Sequence, residues 1–286
     1  MKTDQKVRLP AIVCDIDGVA LRGPVIIGNS NYSIQQIMQP RTEFGGEYKI
    51  PFTFLTNGGG FIEEKKAEFL NEKLHLKKLA PEMRLNHTHI IQCHTPLREP
   101  SLVEKYKDKY VLVCGYDEVL DAALKYGYNK AIHVDELAAV YPDAVPMDVP
   151  ILQKDRMEGF RKDLETRFGT SVEELNQELY FSAIFVMHGV IYSDLTIQLF
   201  SDILASKDGH IMSERRKAGD PQVVDFYSTN PDIVWPYNFP FPRYGPKTLL
   251  IALEAIFKAY FGFEFDYIQY GKPNTPTYDY CERALR

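Results

Sequence analysis

Ala11-Ile12-Val13-Cys14-Asp15-Ile16-Asp17-Gly18-Val19 is the stretch that decides how this chain folds. An apolar run leads without interruption into two aspartates and a glycine. Such a run reads as a strand buried on both faces, the kind found in parallel sheets. Asp17-Gly18 then turns the chain sharply. Two carboxylates separated by one residue emerge at the carboxyl end of a central strand. In open α/β sheets that is where ligands bind.

The same grammar continues outward. Leu21 to Gly28 carries the glycine and proline spacing of a flap or hairpin, and a short helix is expected over 30–38. Pro51-Phe52-Thr53-Phe54-Leu55 reads as a second buried strand, ending in Thr56-Asn57-Gly58-Gly59-Gly60. A helix follows over 61–79, with Ile62, Phe69, Leu70 and Leu74 expected on its buried face. Ile90-Ile91-Gln92-Cys93-His94 reads as a third strand, broken at Thr95-Pro96. Strands alternating with helices mean a parallel sheet with crossovers.

A second series begins near Ser101, with strands expected at 110–115, 131–134, 180–188, 222–227 and 267–270. Helices are expected between them, at 117–126, 154–168 and 194–206. Ser171 with Glu174 forms a capping box for one more. Residues 140–152 read as a proline-rich loop. Residues 235–246 hold Pro236, Pro240, Pro242 and Pro246, so they read as a strap and not a helix. A long amphipathic helix is expected over 247–261, and a last one opened by Thr275 and Pro276. The expected organisation is a core over 1–98 and 236–286, with an inserted α/β cap over 99–235.

Composition narrows the function. The formal charge of −6 over 286 residues offers no basic excess for nucleic acid or an anionic membrane. No apolar run is long enough to span a bilayer. No hydrophobic signal region follows the polar Met1–Pro10 segment, which argues against secretion. The cysteines Cys14, Cys93, Cys114 and Cys281 form no Cys-x-x-Cys pair and read as reduced core residues. His94, His133 and His188 stand at strand ends and read as structural.

Three segments then line up in order: Asp15-x-Asp17-Gly18, Thr56-Asn57 ahead of a glycine-opened helix, and Gly271-Lys272-Pro273. This is a layout for phosphoryl transfer. Asp15 would be a carboxylate nucleophile that forms an aspartyl-phosphate. Asp17 would protonate the leaving oxygen and then activate water. Thr56, with Asn57 and Gly58 at the helix start, would hold phosphate oxygens. Lys272 would offset charge on the nucleophile and the transferring group. Mg²⁺, held by Asp15 and Asp17, suits such oxygens and offsets repulsion between Asp15 and a phosphate.

These motifs resemble the haloacid dehalogenase superfamily, subclass IIA. Within it the chain is similar to the cat eye syndrome critical region protein 5 subgroup. The likeness runs along nearly the whole chain, through Leu55-Thr56-Asn57-Gly58-Gly59-Gly60, Gln92-Cys93-His94-Thr95-Pro96, Ser228-Thr229-Asn230-Pro231-Asp232 with Trp235, and Tyr270-Gly271-Lys272-Pro273. The triple glycine separates this subgroup from relatives with a second asparagine there. The resemblance implies a Rossmann-like core, a mobile cap between the second and third motifs, and Mg²⁺-dependent phosphatase chemistry on a small phosphorylated substrate. Asp15 is implied as nucleophile and Asp17 as general acid/base, while Thr56 matches the family's phosphate-binding threonine and Lys272 its catalytic lysine. A mitochondrial location is implied, with the cytoplasm as the alternative.

One element of the family pattern is missing. A Gly-Asp on a strand after the lysine, followed by further acidic residues, should complete the metal's carboxylates. After Lys272 the sequence offers only Asp279 and Glu282, on a helical stretch. Mg²⁺ would then rest on Asp15, a carbonyl at Asp17 and waters, with weak affinity. The Asp15 strand would also lose a neighbour and become an apolar edge. Continuing chain or a protein partner is expected to cover it. The alternative function is a structural or assembly subunit that reuses a phosphatase-like fold and is completed by another polypeptide.

Overall fold

The structure is a computed structural model that describes residues 10–40, 49–147, 154–237 and 239–286. The readings of Met1–Pro10 and of the end of the 140–152 loop lie largely outside these residues. The first unit runs β1 (Ile12–Cys14), the small hairpin β2 (Leu21–Arg22) and β3 (Val25–Ile26), α1 (Ser30–Met38), β4 (Phe52–Leu55), α2 (Glu63–Lys73) and β5 (Ile90–Ile91). Strands β1, β4 and β5 form a three-stranded parallel sheet in that order. Phe54, Ile16, Leu21, Ile34 and Leu70 pack its core.

The chain then enters a larger unit. It comprises α3 (Pro100–Tyr106), β6 (Tyr110–Cys114), α4 (Val119–Tyr126), β7 (Ala131–His133), α5 (Val134–Val140), α6 (Lys154–Phe168), α7 (Val172–Asn176), β8 (Phe181–Val186), α8 (Ser193–Leu204) and β9 (Asp225–Ser228). A second hairpin, β10 (Val234–Trp235) with β11 (Arg243–Tyr244), leads into α9 (Lys247–Phe261) and β12 (Ile268–Gln269). The five-stranded sheet is parallel throughout, in the order β12-β9-β8-β6-β7. Strands β6 and β8 are apolar and almost wholly buried, as strands covered on both faces must be. Finally α10 (Thr275–Leu285) returns to the first unit, where Cys281 packs with Leu55 and Ile91.

Several expectations are corrected here. Strand β1 is not buried on both faces. It pairs only with β4 among the described residues, and Val13 is 46% exposed. The helix expected over 61–79 stops at Lys73, because His75 takes a left-handed conformation (φ 58°). Its buried face is Glu63, Ala67, Leu70 and Asn71, while Phe69 points outward. The third strand is cut to two residues, since Gln92 to Arg98 turns tightly. In the 235–246 strap, Val234–Trp235 and Arg243–Tyr244 pair as antiparallel strands. Residues 247–269, grouped by sequence with 1–98, pack on the five-stranded sheet, where Leu249, Leu253 and Phe257 join its core.

Candidate active site

The carboxyl ends of β1 and β4 meet the segments that follow β9 and β12. Asp15 ends β1, and its Oδ1 accepts the Ile16 amide at 2.8 Å. Its Oδ2 lies 2.8 Å from Lys272 Nζ, an ion pair whose lysine is the more buried partner. Asp17 Oδ2 accepts from Thr56 Oγ1 at 3.4 Å, and Thr56 Oγ1 in turn accepts the Gly58 amide at 2.9 Å. Thr56 is buried. Asp15, Asp17, Thr56, Gly58 and Lys272 are therefore brought together from three separate segments.

Asn57 is the staple. Its Oδ1 accepts the Lys272 amide at 2.7 Å, and its Nδ2 donates to Lys272 O at 3.0 Å and to Asp232 Oδ1 at 2.9 Å. Its carbonyl accepts from Asn230 Nδ2 at 2.6 Å. The Asn57 side chain thus grips the lysine segment, which fixes where Lys272 starts. Gly271 is required beside it: a Cβ there would meet Pro231 Cδ at 2.3 Å and Thr229 O at 2.5 Å, and φ is +84°.

Asp232 was not singled out as a site residue in the sequence. It joins the Asp15, Asp17 and Lys272 electrostatic group. Burial raises its carboxyl, the Asn57 hydrogen bond and Lys272 lower it, and Asp15 and Asp17 raise it again, with a net upward shift. A signal was available, since Asp232 lies in the segment after β9, at the carboxyl end of a parallel strand. Lys66 on α2 was also missed. Burial lowers its ammonium, against the pull of Asp17, Cys93 and Asp117.

The glycine run explains how the two units meet here. A Cβ on Gly58 would touch Thr56 Oγ1 and Asp17 Oδ2, one on Gly59 would meet Cys93 Sγ and His94 Cδ2 at 2.9 Å, and one on Gly60 would meet His188 Cδ2 at 2.4 Å and Asp117 Oδ2 at 2.9 Å. The Gly60 carbonyl accepts the Glu118 amide at 2.7 Å. His188 stacks on Tyr116 at 4.0 Å, and burial holds its ring down to about 3. His94 is fully buried, held to about 4 by desolvation, and bonded through Nδ1 to Tyr126 OH. Tyr126 of the larger unit also donates to the buried Glu63 at 2.5 Å. His133 caps α5 through its ring. All four cysteines are free, and burial pushes Cys93 up to about 12.

Beyond this seam, a cavity of about 310 Å³ opens at the carboxyl ends of β6, β7 and β8. Tyr116, Asp117, His133, Arg156 and Tyr192 line it. Among the described residues no three His, Cys, Asp or Glu side chains converge as a metal cluster. Asp15 and Asp17 still fit Mg²⁺, which commonly rests on one or two carboxylates plus substrate phosphate and water.

Residues 12–129 match the haloacid dehalogenase-like hydrolase family. A mitochondrial hydrolase of Saccharomyces cerevisiae is 26% identical over 275 residues, covering 96% of this chain and 70% of that one. A cardiolipin synthase (CMP-forming)/mitochondrial hydrolase fusion protein of Schizosaccharomyces pombe is 28% identical over 270 residues, 94% of this chain and 40% of the fusion. The p-nitrophenyl phosphatase of Archaeoglobus fulgidus superposes with a TM-score of 0.54 at 16% identity, over 96% of this chain and 73% of that one. With the matched segment running from the Asp15 strand into the second sheet, the chain has the α/β fold of the haloacid dehalogenase-like hydrolases.

Proposed function

We propose that the chain is a phosphohydrolase that cleaves a phosphate monoester through an aspartyl-phosphate on Asp15. The observation that carries this reading is the Lys272–Asp15 pair at 2.8 Å, with Thr56 and Asp17 beside it. An Asp15 carboxylate oxygen attacks phosphorus, and the ester P–O bond breaks. Asp17 gives its proton to the leaving alkoxide. Asp17 then takes a proton from water, which cleaves the acyl phosphate and releases inorganic phosphate with Asp15 restored. Thr56 and the amides after it hold the non-bridging oxygens, and Lys272 offsets their charge.

Asp15 and Asp17 would hold Mg²⁺, which neutralises phosphate charge when bound. The three-stranded sheet with α10 is the catalytic core in this reading. The five-stranded sheet is the cap, and its cavity beside Asp117 selects the leaving group. An additional strand, from continuing chain or a partner, would pair with the open edge of β1. The two yeast relatives, both described as mitochondrial hydrolases, support a mitochondrial location, and the triple glycine supports the subgroup resemblance.

Turnover of p-nitrophenyl phosphate with Mg²⁺ tests the mechanism. Asp15→Asn should abolish it. Undiminished turnover in that variant would remove Asp15 as the nucleophile.

A further inference from the structure

The five-stranded sheet has a ligand position of its own. Strand β6 is followed by β7 on one side of it, while β8, on its other side, is followed by β9 further out. Neighbouring parallel strands whose connections leave in opposite directions open a crevice at their carboxyl ends, and in open α/β sheets ligands bind there. The cavity of about 310 Å³ occupies this place. Its walls include residues between Gly115 and Asp121 at the end of β6, and Val190, Ile191 and Tyr192 after β8.

The charge of this cavity is one-sided. Asp117, Glu118, Asp121, Asp135, Glu136 and Asp163 line it, against Arg156 as the single guanidinium or ammonium among the described lining residues. Arg167 takes up Glu136 at 2.8 Å, and Lys65 pairs with Glu118 Oε1. Asp117, Asp121 and Asp163 have no ion pair among the described residues. Burial and Glu118 push the Asp117 carboxyl upward, against the pull of Lys66. Asp135 is buried, and its Oδ2 lies 3.3 Å from Arg156 Nη2 and 3.9 Å from His133 Nδ1, while its Oδ1 accepts no hydrogen bond among the described residues. Glu118 Oε2 is also buried without a partner. Buried carboxylate oxygens without a donor are costly, and a ligand with N–H groups removes that cost. The ligand is not a point charge, since no three acidic side chains converge as a metal ion requires. The carboxylates are spread over walls that also present the rings of Tyr116, Phe160 and Tyr192. Such walls suit a cation with a hydrocarbon body.

We infer that this cavity binds an organic cation with a primary ammonium group, and that this cation is the far end of the leaving group, so that the substrate is the phosphate monoester of an amino alcohol. The second half rests on the phosphatase reading; the first does not. Asp117 joins the cavity to the Thr56 loop. A Cβ on Gly58 would lie 3.3 Å from Asp17 Oδ2, and one on Gly60 would lie 2.9 Å from Asp117 Oδ2. Two residues of chain span at most about 7 Å, so a leaving group of several carbons reaches from Asp17 to Asp117. The phosphate end meets Lys272 and the loop amides, and the ammonium end meets carboxylates. An anionic leaving group would be repelled by the same walls.

Calorimetric titration of the whole chain with 6-amino-1-hexanol tests the cation site. The amino alcohol should bind, and 1-hexanol at the same concentration should not. Asp121→Asn with Asp163→Asn should weaken binding about tenfold, and both side chains are exposed, so the core is untouched. No binding of the amino alcohol overturns the site, as does equal affinity for 1-hexanol or undiminished binding in the double variant. Displacement by an equal concentration of MgCl2 also overturns it, since the site would then hold an inorganic ion. For the leaving group, 6-aminohexyl phosphate should be hydrolysed with a kcat/KM about tenfold above that of hexyl phosphate, and the double variant should bring that ratio close to one. Equal kcat/KM for the two esters in the wild type overturns the amino alcohol ester. If neither ester nor p-nitrophenyl phosphate is turned over, the phosphatase reading falls and the leaving-group assignment with it, while the calorimetric result stands.

Discussion

At the scale of residues, the site depends on one neutral side chain as much as on its charges. Asn57 carries no charge of its own, yet it ties Lys272 and Asp232 to the loop after β4. Asn57→Ala should lower kcat for p-nitrophenyl phosphate about 100-fold, the usual cost of an ångström of misplacement, with a smaller change in KM. Lys272→Ala removes the cation itself and should cost about 100- to 1000-fold in kcat. Steady-state kinetics on both variants separates positioning from charge. A larger loss in Asn57→Ala than in Lys272→Ala would reverse this ranking.

At the scale of elements, the loop after β4 is tightly constrained. Gly60 has φ +94° and lies against the His188 ring, so Gly60→Ala meets both backbone strain and a side-chain clash. Its cost should be about 2–3 kcal/mol, read as a lowered midpoint in urea. Ser171→Ala should cost about 1 kcal/mol, since its side chain accepts the Glu174 amide at the start of α7.

These elements also mark what could be read from the sequence. The Asp15 turn and the Thr56 loop were legible because each follows an apolar strand that stops at a polar residue, and the Lys272 segment because Gly271 and Pro273 flank its lysine. Helix α9 was legible from its period, and α7 from its capping box. The break at His75 was not, because a left-handed histidine has no sequence signal. The grouping of 247–269 failed for another reason. Chain order places α9 after the insertion, while Leu253 and Phe257 bury their side chains against the five-stranded sheet. Which of two cores an amphipathic helix fills is decided by tertiary packing. The hairpin was hidden by its prolines, which exclude a helix but do not specify a pairing.

At the scale of the whole molecule, stability should be sensitive to acid. His94 is held to about 4 against an ordinary 6.5, because burial disfavours its charged form. The unfolded chain therefore takes up a proton as pH falls below 6.5, and the folded chain resists until about 4. Stability is fully present above that window and declines through it, by up to roughly 3 kcal/mol for His94 alone. His188, held to about 3 by burial, acts in the same direction. Thermal unfolding at pH 7 and at pH 4.5 should show the loss, and His94→Asn should reduce it. Among the described residues β1 pairs only with β4, which sets a second global property. Exposed Val13 invites association with another strand, so Val13→Lys should raise the temperature at which heated protein scatters light.

The contact between Gly60 and His188 also has a consequence over evolutionary time. The space that the glycine leaves empty is filled by a ring from the segment after β8, far away in sequence. Neither position is free to vary alone. Related chains that place a side chain at position 60 should carry a small residue at position 188, and the two positions should covary across the family. In this protein, Gly60→Ala combined with His188→Ala should recover part of the stability that Gly60→Ala loses, up to the share that comes from the clash and not from backbone strain.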